Sequence, residues 1–177
     1  MRPVEDVRLF FALWPDDDVR FQIVENLRRF ELDRNKSRPV TPGNLHLTLH
    51  FVGNVSIAEM KCLDRQARQV KAEKFDLSLD YSGYFKKPKV LWLACRTVPR
   101  ALIDLQQNLG RQIAECEYTP EERPYSPHLT VARKIYQAPE PVAVAAIHWQ
   151  VDRFVMVESI SDFAGVRYEV VKSYSLH

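Results

Sequence analysis

The sequence predicts a fold that mixes helices with strands and is built from two similar halves. The first half opens with an apolar, partly aromatic stretch at residues 8–14, and the second half has one at residues 90–95; both are typical of buried strands. In each half a proline, an amphipathic helix and a His-x-Thr tripeptide follow in the same order. This shared order is stronger evidence of duplication than a repeated tripeptide alone.

The spacing of these features is also nearly constant. Pro99 follows Pro15 by 84 residues (99 − 15), and His128 follows His46 by 82 residues (128 − 46). Near-equal offsets favour an ancient duplication, or two lobes related by a pseudo-two-fold axis. Because 177 residues suit one compact unit, we predict a single domain over residues 1–177 made of two interleaved lobes.

Helix and strand patterns fill the first half. Asp16 to Asp18 offer an N-cap and first-turn acids to a helix. Apolar residues recur along this helix at Val19, Ile23, Leu27 and Phe30. A polar loop is predicted over residues 34–43, followed by a strand from Leu45 to Val52 that Gly53-Asn54 ends, and Ser56 can cap a second helix.

The second half begins with alternating apolar and polar residues from Phe75 to Leu79, which predict a strand. A loop containing Ser82-Gly83 and Lys86-Lys87-Pro88-Lys89 is predicted next, ahead of the strand at residues 90–95. A long amphipathic helix follows, with apolar positions at Leu102, Leu105, Leu109 and Ile113. After a proline-containing loop over residues 119–127, strands are predicted at His128 to Ala132, Trp149 to Glu158 and Tyr168 to Tyr174.

Composition bears on the compartment and on partners. No apolar stretch is long enough to span a bilayer, and residues 1–6 lack the apolar segment of a secretion signal, so we expect a cytoplasmic protein without a membrane partner. Cys62, Cys95 and Cys116 are widely separated, so each is expected to be a small buried hydrophobe rather than part of a disulfide or a zinc site. The net charge of +2 does not demand a nucleic-acid partner, although local basic clusters could bind one.

The two His-x-Thr tripeptides are the most informative motif. With 5 histidines and 5 threonines in the chain, chance would give roughly 0.14 such pairs, yet two are present. Residues two apart on a strand point to the same face, so His46 projects with Thr48 and His128 projects with Thr130. Each strand therefore offers one imidazole and one hydroxyl to a common cleft.

This set of two imidazoles and two hydroxyls suits phosphodiester hydrolysis. One histidine can act as a base and the other as an acid near neutral pH, while the threonine hydroxyls hold the non-bridging oxygens. Arg133, five residues after His128, could donate to the phosphate, or could be a solvated strand end. No cofactor or metal is expected, because no acidic or cysteine ligand lies beside His46 and His50.

At this point the chain resembles a known family, the RNA 2′,3′-cyclic phosphodiesterases of the 2H phosphoesterase superfamily, also described as 2′-5′ RNA ligases. The resemblance covers nearly the whole chain. Its segments are residues 8–13, 38–40, 44–49, 51–53, 90–93, 127–133 and 154–159, with Gly165 and Tyr168.

The resemblance implies an α+β, bilobal fold whose two antiparallel sheets are related by a pseudo-two-fold axis, with helices outside. It implies hydrolysis of a terminal 2′,3′-cyclic phosphate on RNA, tRNA fragments among the substrates, to a 2′-phosphate. It also implies that His46 gives a proton to the leaving 3′ oxygen and that His128 takes one from water. The reverse reaction would be 2′-5′ ligation without ATP.

Other residues leave alternatives open. Phe11 could contact a nucleobase or pack in the core. The basic loops at residues 34–38 and 86–89 could contact RNA or be solvated, and His50 is expected at a partly exposed strand end. Two other functions also remain: a nucleotide- or RNA-binding module without turnover, and a phosphodiesterase for a different small cyclic or 2′-5′ phosphodiester.

Overall fold

A large antiparallel sheet has the two His-x-Thr strands at its centre. A computed structural model describes residues 6–177; the expectation about a secretion signal rests mostly on residues 1–5, outside the described residues. The described elements, in chain order, are β1 (Val7–Leu13), α1 (Asp17–Leu27), β2 (Arg38–Pro39), a 3-10 turn (Pro42–Asn44), β3 (Leu47–Val55), α2 (Ile57–Ala67), β4 (Phe75–Leu79), β5 (Tyr81–Phe85), β6 (Val90–Ala94), α3 (Arg100–Ala114), β7 (Leu129–Arg133), β8 (Ile147–Val151), β9 (Arg153–Asp162) and β10 (Gly165–Ser175).

The strand order confirms the α+β class with antiparallel sheets. The large sheet runs β10-β9-β1-β3-β7-β6-β5, with β2 paired to β7, and a second sheet joins β4 to β8. The halves meet where Leu47 pairs with Leu129. On either side of this pair each His-x-Thr strand has the opening strand of its own half as neighbour, β1 beside β3 and β6 beside β7. The order of the four inner strands is therefore symmetric about the centre, as the duplication predicts, while β9 and β10 extend one side and β5 the other.

The two faces of the large sheet have different surroundings. One face packs under the helices and the small sheet, in a core that contains residues of both halves, such as Leu47 and Leu129, each fully buried. Helix α3 contributes the four apolar residues that the spacing indicated, Leu102, Leu105, Leu109 and Ile113. The other face carries a small apolar cluster around Phe10 and Val157, beside Trp14 and Tyr168. This second face is where the site lies.

The helix starts follow the predicted capping residues. The Asp16 side chain accepts a hydrogen bond from the Val19 amide (2.8 Å), and Ser56 forms a capping box with Glu59. None of the helices within residues 6–177 combines the length and apolarity needed to cross a bilayer.

The residues around Ser82-Gly83 form a strand rather than the predicted loop. They belong to β5, which pairs with β6 so that Gly83 lies opposite Trp92. The Trp92 indole covers Gly83, where an added Cβ would lie 2.1 Å from a ring carbon. A glycine inside a strand can thus mark a close approach instead of a turn.

Two further strand boundaries were wrong. The predicted strand from Trp149 to Glu158 is two strands, because the chain leaves the small sheet at Asp152 and enters the large one as β9. Strand β3 continues past Gly53, which has φ +95° and lies at a register shift opposite Leu9. Glycine tolerates this conformation, so the chain bulges there without ending the strand.

The cysteines also differ from expectation. Cys62, in α2, is bonded to Cys116, just after α3, and this disulfide links two helices whose sequence separation is 54 residues. Among the described residues 6–177, Cys95 alone is a free, buried thiol, as was expected for all three cysteines. The wide spacing in sequence hid the pair because α2 and α3 pack side by side in the fold.

Candidate active site

His46 is held by its own backbone and by aromatic rings. It precedes β3, and its Nδ1 donates to the carbonyl of Asn44 at 2.7 Å. Its ring lies 4.8 Å from that of Phe10, 5.1 Å from that of Tyr168 and, stacked, 5.9 Å from the Trp14 ring, measured between centroids. Since a carbonyl only accepts, Nδ1 keeps its hydrogen and Nε2 remains for chemistry.

His128 repeats this arrangement in the second half. Its Nδ1 donates to the carbonyl of Ser126 at 2.9 Å, again two residues earlier in the chain. Its neighbours are the rings of Phe85 at 5.2 Å and Trp92 at 6.3 Å. In both histidines the same backbone bond selects the same tautomer, so each presents Nε2.

The sheet register brings the two motifs together. Leu47 pairs with Leu129 in antiparallel register. Extending that register by one residue puts His46 across from Thr130 and His128 across from Thr48, about 4.5–5.5 Å apart between Cα atoms. The leucines are fully buried, whereas the threonines are half-buried on the opposite face. The sequence prediction of two imidazoles and two hydroxyls on one face agrees with this arrangement.

Arg133 reaches the same face because β7 is irregular. In a regular strand, residues 130 and 133 would point to opposite faces. A register shift lies between Leu91 and Trp92, so Thr130 pairs with Trp92 while Arg133 pairs with Val90, two residues before it. Strand β7 therefore has one extra residue between Thr130 and Arg133. This residue puts the Arg133 side chain on the same face as Thr130, where it is exposed.

The histidines lie in an environment that disfavours a positive charge on His46. Burial lowers the pKa of His46 to about 4, with smaller contributions in the same direction from Arg133 and His128, against the carbonyl of Asn44, which raises it. The Arg133 guanidinium is thus near enough to His46 for its charge to lower the pKa of the imidazole. In the ligand-free protein His46 is therefore neutral at pH 7.

Phe11 does not belong to the site. It is fully buried in the core, against Phe154 and Tyr174, so the prediction that it binds substrate is corrected. Its neighbour Phe10 lies on the cleft face against His46. Phe10 shares this face with Ala12, which pairs with Thr48, whereas Phe11 pairs with His50 on the core face. Alternation along β1 by itself does not say which of the two phenylalanines faces the histidines.

His50 is buried, not at an exposed strand end. A register shift at Leu49 turns it to the core face, opposite Phe11. Its Nε2 lies 2.7 Å from the Gln106 carbonyl and its Nδ1 lies 3.3 Å from the Tyr118 hydroxyl. Burial lowers the pKa of His50. Its role is to join β3 to α3.

A further hydrogen bond connects the two motifs. The Tyr125 hydroxyl, three residues before His128, donates to the Thr48 carbonyl at 2.9 Å. Burial raises the pKa of Tyr125, so the hydroxyl keeps its proton at neutral pH and remains a donor. The loop that leads into the second motif is thus anchored on the first.

A large antiparallel sheet in which two His-x-Thr strands lie side by side, with helices on one face and the two imidazoles on the other, defines a 2H phosphoesterase. Comparison with known proteins agrees. The model of the 2′-5′ RNA ligase superfamily matches residues 14–162. The RNA 2′,3′-cyclic phosphodiesterase of Escherichia coli (strain K12) is 34% identical over 174 residues, which are 97% of this chain and 98% of the relative.

Solved structures agree as well. A crystal structure of a phosphoesterase superposes with TM-score 0.90 at 32% identity, covering 97% of this chain and 99% of that one. E. coli LigT complexed with 3′-AMP superposes with TM-score 0.84 at 33% identity, with the same coverage. The chain belongs to the 2′-5′ RNA ligase superfamily.

Proposed function

We propose that this chain hydrolyses the terminal 2′,3′-cyclic phosphate of RNA to a 2′-phosphate. The observation that carries the proposal is the pair of imidazoles with identical Nδ1 anchors, His46 on Asn44 and His128 on Ser126, on two strands that meet side by side. A pure binding site needs no second imidazole aimed by the same backbone bond. A reaction that moves one proton in and another out does.

The reaction uses groups of the chain at each step. His128 Nε2 takes a proton from water as the oxygen attacks phosphorus. The bond from phosphorus to the 3′ oxygen breaks, and His46 Nε2 gives its proton to that oxygen, leaving a 2′-phosphate and a 3′-hydroxyl. Thr48, Thr130 and Arg133 hold the non-bridging oxygens. With a 5′-hydroxyl in place of water, His128 would take the proton of that hydroxyl and His46 would again protonate the leaving 3′ oxygen, which gives a 2′-5′ linkage without ATP.

The acid role of His46 requires help from the substrate. Because burial holds the pKa of the free side chain at about 4, few molecules carry the proton at pH 7. A bound phosphodiester anion beside the ring favours the imidazolium and raises this pKa. Substrate binding therefore favours protonation of His46, and Arg133 binds the same anion.

Relatives support the substrate class. The E. coli relative is named for activity on RNA 2′,3′-cyclic phosphate, and LigT was solved with 3′-AMP. We propose RNA ends with a cyclic phosphate as substrates here, tRNA fragments among them, acted on in the cytoplasm.

A product assay tests the proposal. A short RNA with a 2′,3′-cyclic phosphate end should yield only the 2′-phosphate, and His46→Ala and His128→Ala should each lose most of this activity. Cyclic mononucleotides and 2′-5′ dinucleotides, assayed in parallel, would identify an enzyme for other small diesters. Binding of the RNA without turnover would instead show a binding module.

The directions of proton transfer need a second substrate. A nitrophenyl phosphodiester has a leaving group that needs no protonation, so His46→Ala should lose far less activity on it than His128→Ala. Equal losses, or a greater loss in His46→Ala, would reverse the acid and base roles. Arg133→Ala should lower kcat/KM on both substrates, since both develop the same charge on phosphorus oxygens.

A further inference from the structure

The two basic loops of the chain converge at one end of the cleft. Strand β7 ends at Arg133, which pairs with Arg38 of β2 on one side and with Val90 of β6 on the other. Neighbouring strands lie about 5 Å apart. The segments 34–38 and 86–89, some fifty residues apart in sequence, thus flank the arginine that faces the reacting phosphate. Together with Lys134 they form a basic rim.

Backbone and side-chain bonds hold both loops in place. The Arg38 Nη1 atom donates to three carbonyls of the loop before it, at 3.0–3.4 Å, and so closes this loop on itself. The Ile135 amide donates to the Lys89 carbonyl at 3.0 Å, and the Tyr84 hydroxyl donates to the Ile135 carbonyl at 2.6 Å. The rim is therefore a structured surface whose two loops are both held by hydrogen bonds.

The charges of the rim are largely uncompensated by the protein. Among residues 6–177, one rim side chain has an acidic partner within 4 Å, Lys36, whose Nζ lies 3.7 Å from exposed Asp33. Arg38 and Arg133 are directly paired across strands, an arrangement of like charges that destabilises a sheet. A protein with a net charge of only +2 concentrates positive charge here, and a polyanion would offset the repulsion.

An aromatic ring accompanies the charges. Tyr136 is 60% exposed, and the Lys89 Nζ lies 4.2 Å from its ring centroid. Surfaces that bind single-stranded nucleic acid typically combine exposed aromatic rings with cationic side chains. Bases stack on the rings, and phosphates pair with the cations. A lipid surface would not need the ring, and a phosphate ion alone would not need a rim of this length.

We propose that the basic rim binds the single-stranded RNA that leads to the cyclic phosphate, so that this protein selects RNA ends over cyclic mononucleotides. This inference rests on the proposed function, because it takes the reacting end to lie at Arg133. The strand on the 5′ side of that end runs over both loops, and Tyr136 receives one of its bases.

The experiment compares two substrates, a ten-nucleotide RNA with a 2′,3′-cyclic phosphate end and a 2′,3′-cyclic mononucleotide. Two double variants each remove two charges, Arg34→Gln with Lys36→Gln and Lys86→Gln with Lys87→Gln. In each, kcat/KM on the ten-mer should fall at least about 5-fold more than on the mononucleotide. The slope of log KM against log salt should also fall by roughly 1.4 for the ten-mer, or 0.7 per lost phosphate contact.

A matched control removes the same charge elsewhere. Lys71→Gln with Lys74→Gln alters two exposed lysines between α2 and β4, and the ratio of the two kcat/KM values should remain that of the unaltered protein. If either rim double variant also keeps that ratio, the proposal is overturned. If it keeps the ratio but loses binding to anionic vesicles, the rim is a lipid surface instead.

Failure of the proposed function would give a different result. In that case the unaltered protein would turn over neither substrate. Binding of a ten-mer with a blocked, non-reacting 3′-phosphate, followed by fluorescence anisotropy, reports on the rim without catalysis. Equal affinity in the unaltered protein and both rim variants would overturn the rim proposal whatever the activity.

Discussion

The two motif histidines have the same anchor but different surroundings. His46 lies among three aromatic rings and near Arg133, with a part-buried anchor bond, whereas His128 lies beside two rings and its anchor bond is exposed. The tripeptides themselves are almost identical, so the sequence alone indicates a symmetric pair. The environment breaks this symmetry, and it does so mainly by burying His46.

We expect the ligand-free protein to show a depressed pKa at His46. In ¹⁵N NMR titration this imidazole should lose its proton near pH 4, because burial disfavours its charge. Adding inorganic phosphate should raise the value, since an anion stabilises the imidazolium. The His46→Gln spectrum identifies the resonance. A free-protein pKa at or above 6.5 would contradict the burial argument.

The same burial makes stability depend on pH. The pKa values of His46 and His50 are lowered on folding, so the unfolded chain binds protons first as the solution becomes acidic. The stabilisation is complete above pH 6.5 and is lost as pH falls toward 4. Urea midpoints should thus decrease between pH 7 and pH 5, and decrease less in His50→Gln. Equal slopes in both proteins would count against a role for His50.

Asn44 is expected to position His46. Its carbonyl accepts from Nδ1, and its side chain bonds to both the Val166 carbonyl (3.0 Å) and the Tyr168 amide (3.1 Å) of β10. Asn44→Ala should lower kcat roughly 10- to 100-fold with little change in KM, because small misplacements of a catalytic group are costly. It should also shift the His46 pKa.

Asn44→Asp keeps the acceptor for the Tyr168 amide and should recover part of the loss. If Asn44→Ala has full kcat and an unshifted His46 resonance, the side chain has no positioning role. Loss of kcat with an unchanged resonance would also refute this assignment, because the effect would then arise away from His46.

At the scale of elements, irregularities in the strands decide which side chains reach the cleft. Register shifts after Thr48 and after Thr130 occur at matching places in β3 and β7. One turns His50 into the core and the other turns Arg133 to the face that carries Thr130. Alternation alone therefore predicts the His-x-Thr residues correctly but fails for residues beyond the bulge.

Gly83 should be intolerant of a side chain. A methyl group there would overlap the Trp92 indole, which forms part of the wall beside His128. Gly83→Ala should cost roughly 1–3 kcal/mol of stability and lower kcat/KM, because the indole must move. Gly43→Ala is the control, since nothing lies within 4 Å of its added Cβ. Similar melting temperatures for the two variants would show that the indole moves freely.

At the scale of the molecule, the sequence predicted the duplicated plan, the three helices and the pairing of the two motifs. Local periodicity and order in the chain carry those features. The sequence did not predict that β8 and β9 lie in different sheets, or that Cys62 forms a disulfide with Cys116. Both features depend on which elements pack together in the fold. Phe11 was placed in the site for the same reason: parity on β1 becomes clear only when its neighbours are known.

The disulfide is expected to stabilise the whole fold rather than the chemistry. It closes a loop spanning 54 residues and joins α2 to the end of α3, on the helix side of the large sheet, whereas the histidines lie on the other side. Closing such a loop restricts the unfolded chain, so reduction or Cys62→Ser with Cys116→Ser should lower the free energy of unfolding by roughly 2–4 kcal/mol. Urea unfolding measures this loss. Activity at 25 °C should persist, since the folded state remains the major one.

Reductant should have no effect on the Cys62→Ser, Cys116→Ser double variant, because Cys95 is already a free thiol. If reductant destabilises the double variant as much as the unaltered protein, the effect does not come from this bond. If the unaltered protein has the same urea midpoint with and without reductant, the two sulfurs are not bonded in solution. The packing of α2 on α3 then holds the helices together by itself.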